Sequence, residues 1–139
     1  MDNLLEIASM IPLNKPEISE EEIKNVISVL QSGMIAQGSK TKEFEQAFAK
    51  FANTEYAVAL NNGTAAIHAA LSAIGIASGD EVITTPFTFV GTANPILMQG
   101  AKPVFADIEE DYFHVDPSKI EEKINDRTKA IIPVHLFGQ

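Results

Sequence analysis

From residue 17 the chain reads EISEEEIKNVISVLQS, and its apolar positions Ile23, Val26, Ile27 and Leu30 recur at three- and four-residue intervals. That spacing puts them on one face of a helix. Ser19, with Glu22 three residues later, is the pair that satisfies orphan N–H groups at a helix start. Gly33 follows as the stop. Residues 41–52, TKEFEQAFAKFA, repeat the pattern, with Phe44, Ala47, Phe48 and Phe51 on one face and Thr41 as the cap. The pattern therefore predicts two amphipathic helices joined by GMIAQGSK.

From Tyr56 the rhythm changes. YAVAL (56–60) reads as a strand and 64–75 as a helix; strand 80–85, helix 88–98, strand 102–108, helix 116–125 and strand 129–135 follow. Asp116 opens the last helix, with Pro117 at its first position, where a missing N–H costs nothing. The linkers are short and turn-rich, and no repeat or low-complexity segment interrupts them. Apolar strands alternating with helices predict an α/β architecture, a mainly parallel sheet with helices on both faces. The chain thus divides into a helical segment, 1–54, and an α/β region, 55–139. The run KAIIPVHLFG ends close to Gln139, so the sequence reads as the front portion of a longer protein.

Net charge is −9, which argues against nucleic acid as a partner, since that footprint needs a basic face. A small anion held by backbone N–H groups remains compatible with it. With no cysteine, thiolate metal sites, disulfides and cysteine nucleophiles are excluded. His68, His114 and His135 are too scattered to suggest a metal site. MDNLLEIASMIPLNKP lacks the basic start and apolar core of a signal peptide. No apolar run reaches the ~18 residues of a membrane span. The expectation is a cytoplasmic protein, in which the Asn62-Gly63-Thr64 glycosylation pattern is a chance match.

The chemistry-bearing stretch is NNGTAAIHAAL (61–71). Gly63 permits a sharp turn, and the N–H groups of Thr64, Ala65 and Ala66 open a helix whose dipole favours an anion such as phosphate. Two readings stand: Thr64 as an ordinary helix cap, or Thr64 as part of a phosphate site. His68 reads as an ordinary helical histidine. In SGMIAQGSKTK, Gly33, Gly38, Ser39 and Lys40 imitate a phosphate loop. The Ser-Lys order is reversed, however, and a helix precedes it, so no ATP site is read there. The stretch is either a mobile loop over a ligand or a plain connection. In TTPFTFVGTANPI, Phe87 and Phe89 are either core residues or include one aromatic that stacks on a flat ring. Asp107 closes a strand at the edge where such sheets bind ligands, and either faces a ligand or serves a local helix or loop hydrogen bond; His135 stands at the same edge.

The ordered blocks PLNKPEISEEEIKNVISVLQSGMIAQGSKTKEFEQAFAKF, YAVALNNGTAAIHAAL, SGDEVITTPFTFVGTANPI, GAKPVFADI and IIPVHLFGQ resemble the front part of the DegT/DnrJ/EryC1/StrS family of pyridoxal-phosphate (PLP)-dependent sugar aminotransferases. The resemblance covers Ile11 to Gln139. It implies the aspartate-aminotransferase-like fold, here as the first part of the PLP-binding large domain. It also implies a homodimer, and transfer of an amino group, usually from glutamate, to a nucleotide-linked keto sugar. On that resemblance Gly63, Thr64 and Ala65 lie at the PLP phosphate and Phe89 stacks on its pyridine ring. The loop holding Gly33, Met34 and Gly38 borders the substrate.

The catalytic residues are not assigned. The family's Schiff-base lysine, and the aspartate facing the pyridine nitrogen, lie beyond Gln139, as does the small domain. None of the nine lysines stands in a matching block. Residues 1–139 alone are therefore expected to be inactive. Three alternatives stay open: a PLP-dependent sugar dehydratase of the same family, a non-catalytic anion- or nucleotide-binding α/β module, and a structural or regulatory remnant whose exposed sheet edge recruits a partner.

Overall fold

The computed structural model describes residues 14–138, so the stretch read above for a signal peptide lies largely outside the described residues. The chain forms two compact units, one ending at Ala57 and the other beginning at Val58.

In the first unit, α1 spans Glu20–Ser32 and α2 spans Ser39–Ala52. The α1 start is as its sequence predicts: Glu22 N–H donates to Ser19 Oγ (3.2 Å), and the Glu22 carboxylate accepts from Ser19 N–H. Gly33 ends it at φ +72, with its N–H donating to the Leu30 carbonyl. The α2 start differs. The helix begins two residues before Thr41, Gly38 takes the N-cap position, and no side chain caps it. Asn53, left-handed at φ +53, closes it. The apolar stripes are real but uncovered: Ile23, Val26, Ile27, Leu30, Phe44, Phe48 and Phe51 are all exposed, and Ala49 is the buried residue of α2.

In the second unit, α3 spans Gly63–Ala73, β1 Glu81–Thr84, α4 Asn94–Met98, β2 Lys102–Phe105, α5 Pro117–Glu121 and β3 Thr128–Ile132. A 3₁₀ turn, Val90–Thr92, precedes α4, so the single helix expected over 88–98 is two short pieces. The strands form one parallel sheet in the order β2-β1-β3. Alternation along β1 splits the core. Val82 packs with Leu71, Ile76, Ile96 and Ala101 on the α3/α4 side, while Ile83 packs with Ala106 and Val115 on the α5 side. Each isoleucine or valine buried this way contributes about 1.5–3 kcal/mol. The predicted parallel sheet with helices on both faces is thus present.

YAVAL is the exception. Residues 56–60 have no regular secondary structure and are not members of the sheet. Alternating β-prone side chains specify a pleat, whereas a strand also needs a neighbouring edge to pair with. The Thr54 hydroxyl donates to the Tyr56 carbonyl instead (3.0 Å). No helix among the described residues is long and apolar enough to cross a membrane.

The strand starts are stapled by one side chain. Glu81, almost fully buried, accepts from Asn125 Nδ2 (2.8 Å) and Lys102 Nζ (3.2 Å) and forms an ion pair with Arg127 Nη2 (2.9 Å). The Asn125 hydrogen bond, with the Lys102 hydrogen bond and the charges of Arg127 and Lys102, holds its carboxyl below the usual glutamate range against the opposing effect of burial. This cluster sits at the N-terminal edge of the strands and leaves the C-terminal edge to the candidate site.

Candidate functional site

The site begins at the start of α3. Asn62, and not Thr64, is the N-cap: its Oδ1 accepts from Ala65 N–H (2.8 Å) and its carbonyl accepts from Ala66 N–H (3.1 Å). Two of the three donors expected to face a ligand are therefore engaged. The donors left without a protein acceptor among the described residues are the N–H groups of Gly63 and Thr64. Asn62 outcompetes Thr64 because an Asx side chain one residue before the helix reaches the third N–H without distortion. This frees the Thr64 hydroxyl, which has no hydrogen-bond partner among the described residues.

The other threonines nearby serve the fold. Thr84 Oγ1 donates to the Ile132 carbonyl (2.9 Å), tying β1 to β3. Thr85 Oγ1 accepts from Phe87 N–H (3.1 Å), which shapes the chain as it leaves β1. Thr88 and Thr92 hydrogen-bond each other (2.9 Å). These bonds aim the 85–92 segment, and Phe89 ends up 75% exposed. Phe87 is exposed as well, and packs on Phe113 with ring centroids 6.0 Å apart. Neither phenylalanine is a core residue, as the bland reading of this stretch had it.

Gly91 joins the two halves. A β-carbon there would come within 2.6 Å of Thr64 Oγ1 and 2.8 Å of the Phe89 ring. The hydroxyl and the aromatic ring thus converge over a buried glycine. Sequence reasoning did not single it out, although a glycine inside a helix-like pattern is the signal of a close approach. A free hydroxyl and an exposed aromatic ring that both lie against Gly91, with two free N–H groups at the same helix start, suit a flat, phosphorylated molecule.

Asp107 is not drawn into this arrangement. Asp107 is exposed and bonds locally, its Oδ1 to Ile108 N–H (2.8 Å) and its carbonyl to Asp116 N–H (2.9 Å). The His135 carbonyl accepts from Gly138 N–H (3.1 Å). His68 is half-buried within α3, and its carbonyl accepts from Gln99. In the first unit, Met34 and Gly38 line a concavity of about 190 Å³ with Val29, Ile35 and Lys40, while Gly33 forms the helix end beside it. Lys40, Lys102 and Lys119 are paired with Glu43, Glu81 and Glu122.

The sequence pattern of the DegT/DnrJ/EryC1/StrS aminotransferase family matches residues 16–139. The chain belongs to that family. It is 50% identical over 129 residues to the spore coat polysaccharide biosynthesis protein SpsC of Bacillus subtilis (strain 168), covering 93% of this chain and 33% of SpsC. Among solved structures it resembles the PLP form of the putative sugar aminotransferase Spr1654 from Streptococcus pneumoniae, at 40% identity and a TM-score of 0.85. That match covers 91% of this chain and 32% of Spr1654. It also resembles Helicobacter pylori PseC, an aminotransferase involved in the biosynthesis of pseudoaminic acid, at 36% identity and a TM-score of 0.82, with 90% and 34% of the two chains covered. The chain spans about a third of the length of these relatives. The fold is that of the family's PLP aminotransferases, and PLP is the family's cofactor, with Spr1654 solved in both PLP and PMP forms.

Proposed function

We propose that this chain provides the phosphate- and ring-holding part of a PLP site in an enzyme that transfers an amino group, from glutamate, to a nucleotide-linked keto sugar. The observation that carries this reading is the convergence of the Thr64 hydroxyl and the Phe89 ring over Gly91. The N–H groups of Gly63 and Thr64 and the Thr64 hydroxyl would hold the phosphate at the positive end of α3. Phe89 would cover one face of the pyridine ring, excluding water and restricting its tilt. Bound PLP supplies the electron sink that amino transfer requires. Membership of the family, and the sugar-related roles named for SpsC, Spr1654 and PseC, support the substrate class. The reading extends to a cytoplasmic homodimer.

The test is titration of the full-length apo-protein with PLP, for the native sequence and for Thr64→Val, which keeps shape and removes the hydroxyl. Affinity should weaken by about 1.5–3 kcal/mol, the scale of one hydrogen bond to a charged group. Unchanged affinity would return Thr64 to a purely structural role. Incubation of the holoenzyme with glutamate and nucleotide-linked keto sugars should yield an amino sugar. A dehydrated sugar, with no nitrogen transferred, would redirect the reading to a dehydratase.

A further inference from the structure

Phe113 occupies the left-handed region, at φ +62. A bulky L-residue is disfavoured there because its β-carbon crowds the following carbonyl oxygen. The surrounding loop, which leaves β2, holds it in place. Ile108 pairs antiparallel with Val115, and Glu109 N–H donates to the His114 carbonyl (3.0 Å). The Glu109 carboxylate accepts from the N–H groups of Asp111 (2.8 Å) and Tyr112 (2.7 Å), and the His114 ring stacks on Tyr112 with centroids 5.7 Å apart.

The conformation places one ring between two others. Phe113 lies 6.0 Å from Phe87 at 44° and 6.0 Å from Phe137 at 77°, both within the range of favourable aromatic pairs. Phe87 belongs to the segment leaving β1, two residues before Phe89, and Phe137 belongs to the segment leaving β3. A single side chain thus connects the exits of all three parallel strands. All three rings stay partly exposed, so the cluster is not core packing. Strain that persists in an exposed loop because neighbouring groups enforce it is characteristic of positions that organise a site.

We propose that Phe113 is a positioning residue for the cofactor site. Wedged between Phe87 and Phe137, its ring fixes the 86–89 segment and with it the angle at which Phe89 faces the pyridine ring of PLP. This rests on the reading of Phe89 as the stacking residue.

The test uses the full-length protein and three measurements: the PLP dissociation constant of the apo form, the visible circular-dichroism band of bound PLP, and the apo melting temperature. Phe113→Ala and Phe113→Leu should raise the dissociation constant roughly two- to tenfold, the worth of one or two ring contacts, and alter the band. Phe113→Tyr should restore both. Phe113→Gly, which relieves the left-handed strain but carries no ring, should behave like Phe113→Ala. Phe137→Leu, loosening the wedge from its other side, should move the band in the same direction. An unchanged band and dissociation constant in Phe113→Ala, with or without a lower melting temperature, would overturn the inference. Phe89→Leu is measured in parallel. If it leaves the band unchanged, the stacking reading fails and the inference with it; if it alters the band while Phe113→Ala does not, only the inference falls.

Discussion

Gly91 lies against the side chain of Thr64 so closely that a β-carbon on it would stand 2.6 Å from the threonine hydroxyl oxygen. The same β-carbon would meet the Phe89 ring at 2.8 Å. Both obstacles are side-chain atoms of the candidate site and neither is backbone, so a substitution should displace them and disturb the site. Gly91→Val is expected to weaken PLP binding, because relieving an overpacking cost of about 1–3 kcal/mol requires Thr64 and Phe89 to move. Gly91→Ala should have a smaller effect in the same direction, because one methyl group can be accommodated by rotating Thr64 and the exposed Phe89 ring. Equilibrium titration of each full-length apo-variant with PLP, alongside its melting curve, checks the split. Loss of stability without loss of affinity would make Gly91 a packing residue only.

Asn62 offers a way to separate helix capping from anion binding. Asn62→Ala removes the acceptor for Ala65 N–H and should cost about 1 kcal/mol of stability. Asn62→Asp keeps a good cap and adds a negative charge beside the helix start, so thermal stability should hold. That charge would oppose a phosphate at Gly63 and Thr64, and PLP affinity should fall, more at low salt than at high salt. Equal PLP affinity for the native protein and Asn62→Asp at low salt would place the phosphate elsewhere.

Glu81 should make stability depend on acid. Its carboxyl titrates below its unfolded value in the folded protein, so the native state binds fewer protons than the unfolded state as pH falls. The stabilisation is fully present above the unfolded glutamate pKa and is lost as pH drops through the lower folded value. Glu81→Gln should therefore be less stable than the native protein at neutral pH, and the difference should shrink towards acid. Denaturant midpoints measured over that interval check it. A constant difference across the interval would show that the charge on Glu81 does not couple to folding.

Ile96, fully buried on the α3/α4 side, anchors a helix of only five residues directly after the Val90–Thr92 turn. Ile96→Ala should destabilise the protein by about 2–5 kcal/mol. Because Gly91 and Thr92 lie just upstream in the same packed segment, amide exchange should quicken across 90–96 before it does in β1. Uniform acceleration over the whole second unit would show that the segment has no local stability of its own.

The sequence by itself determined the features whose causes span four residues or fewer, together with the α/β alternation. Ser19 and Glu22 specify a helix start because each side chain reaches the other's N–H along the chain. Gly33 and Asp116-Pro117 act just as locally. The resemblance to a PLP family was also legible, because NNGTAAIHAAL and TTPFTFVGTANPI are contiguous blocks. Only the tertiary structure decided that the strands run β2-β1-β3, that YAVAL stands outside the sheet, and that Gly91 brings Thr64 and Phe89 together. It also decided that Asn62 takes the cap and leaves Thr64 free, a competition between two suitable side chains that propensity alone does not resolve. Phe113 is the extreme case. Its residue type argues against a left-handed backbone, and it is held there by contacts with Phe87 and Phe137, residues far away in sequence whose proximity exists only once three parallel strands have paired.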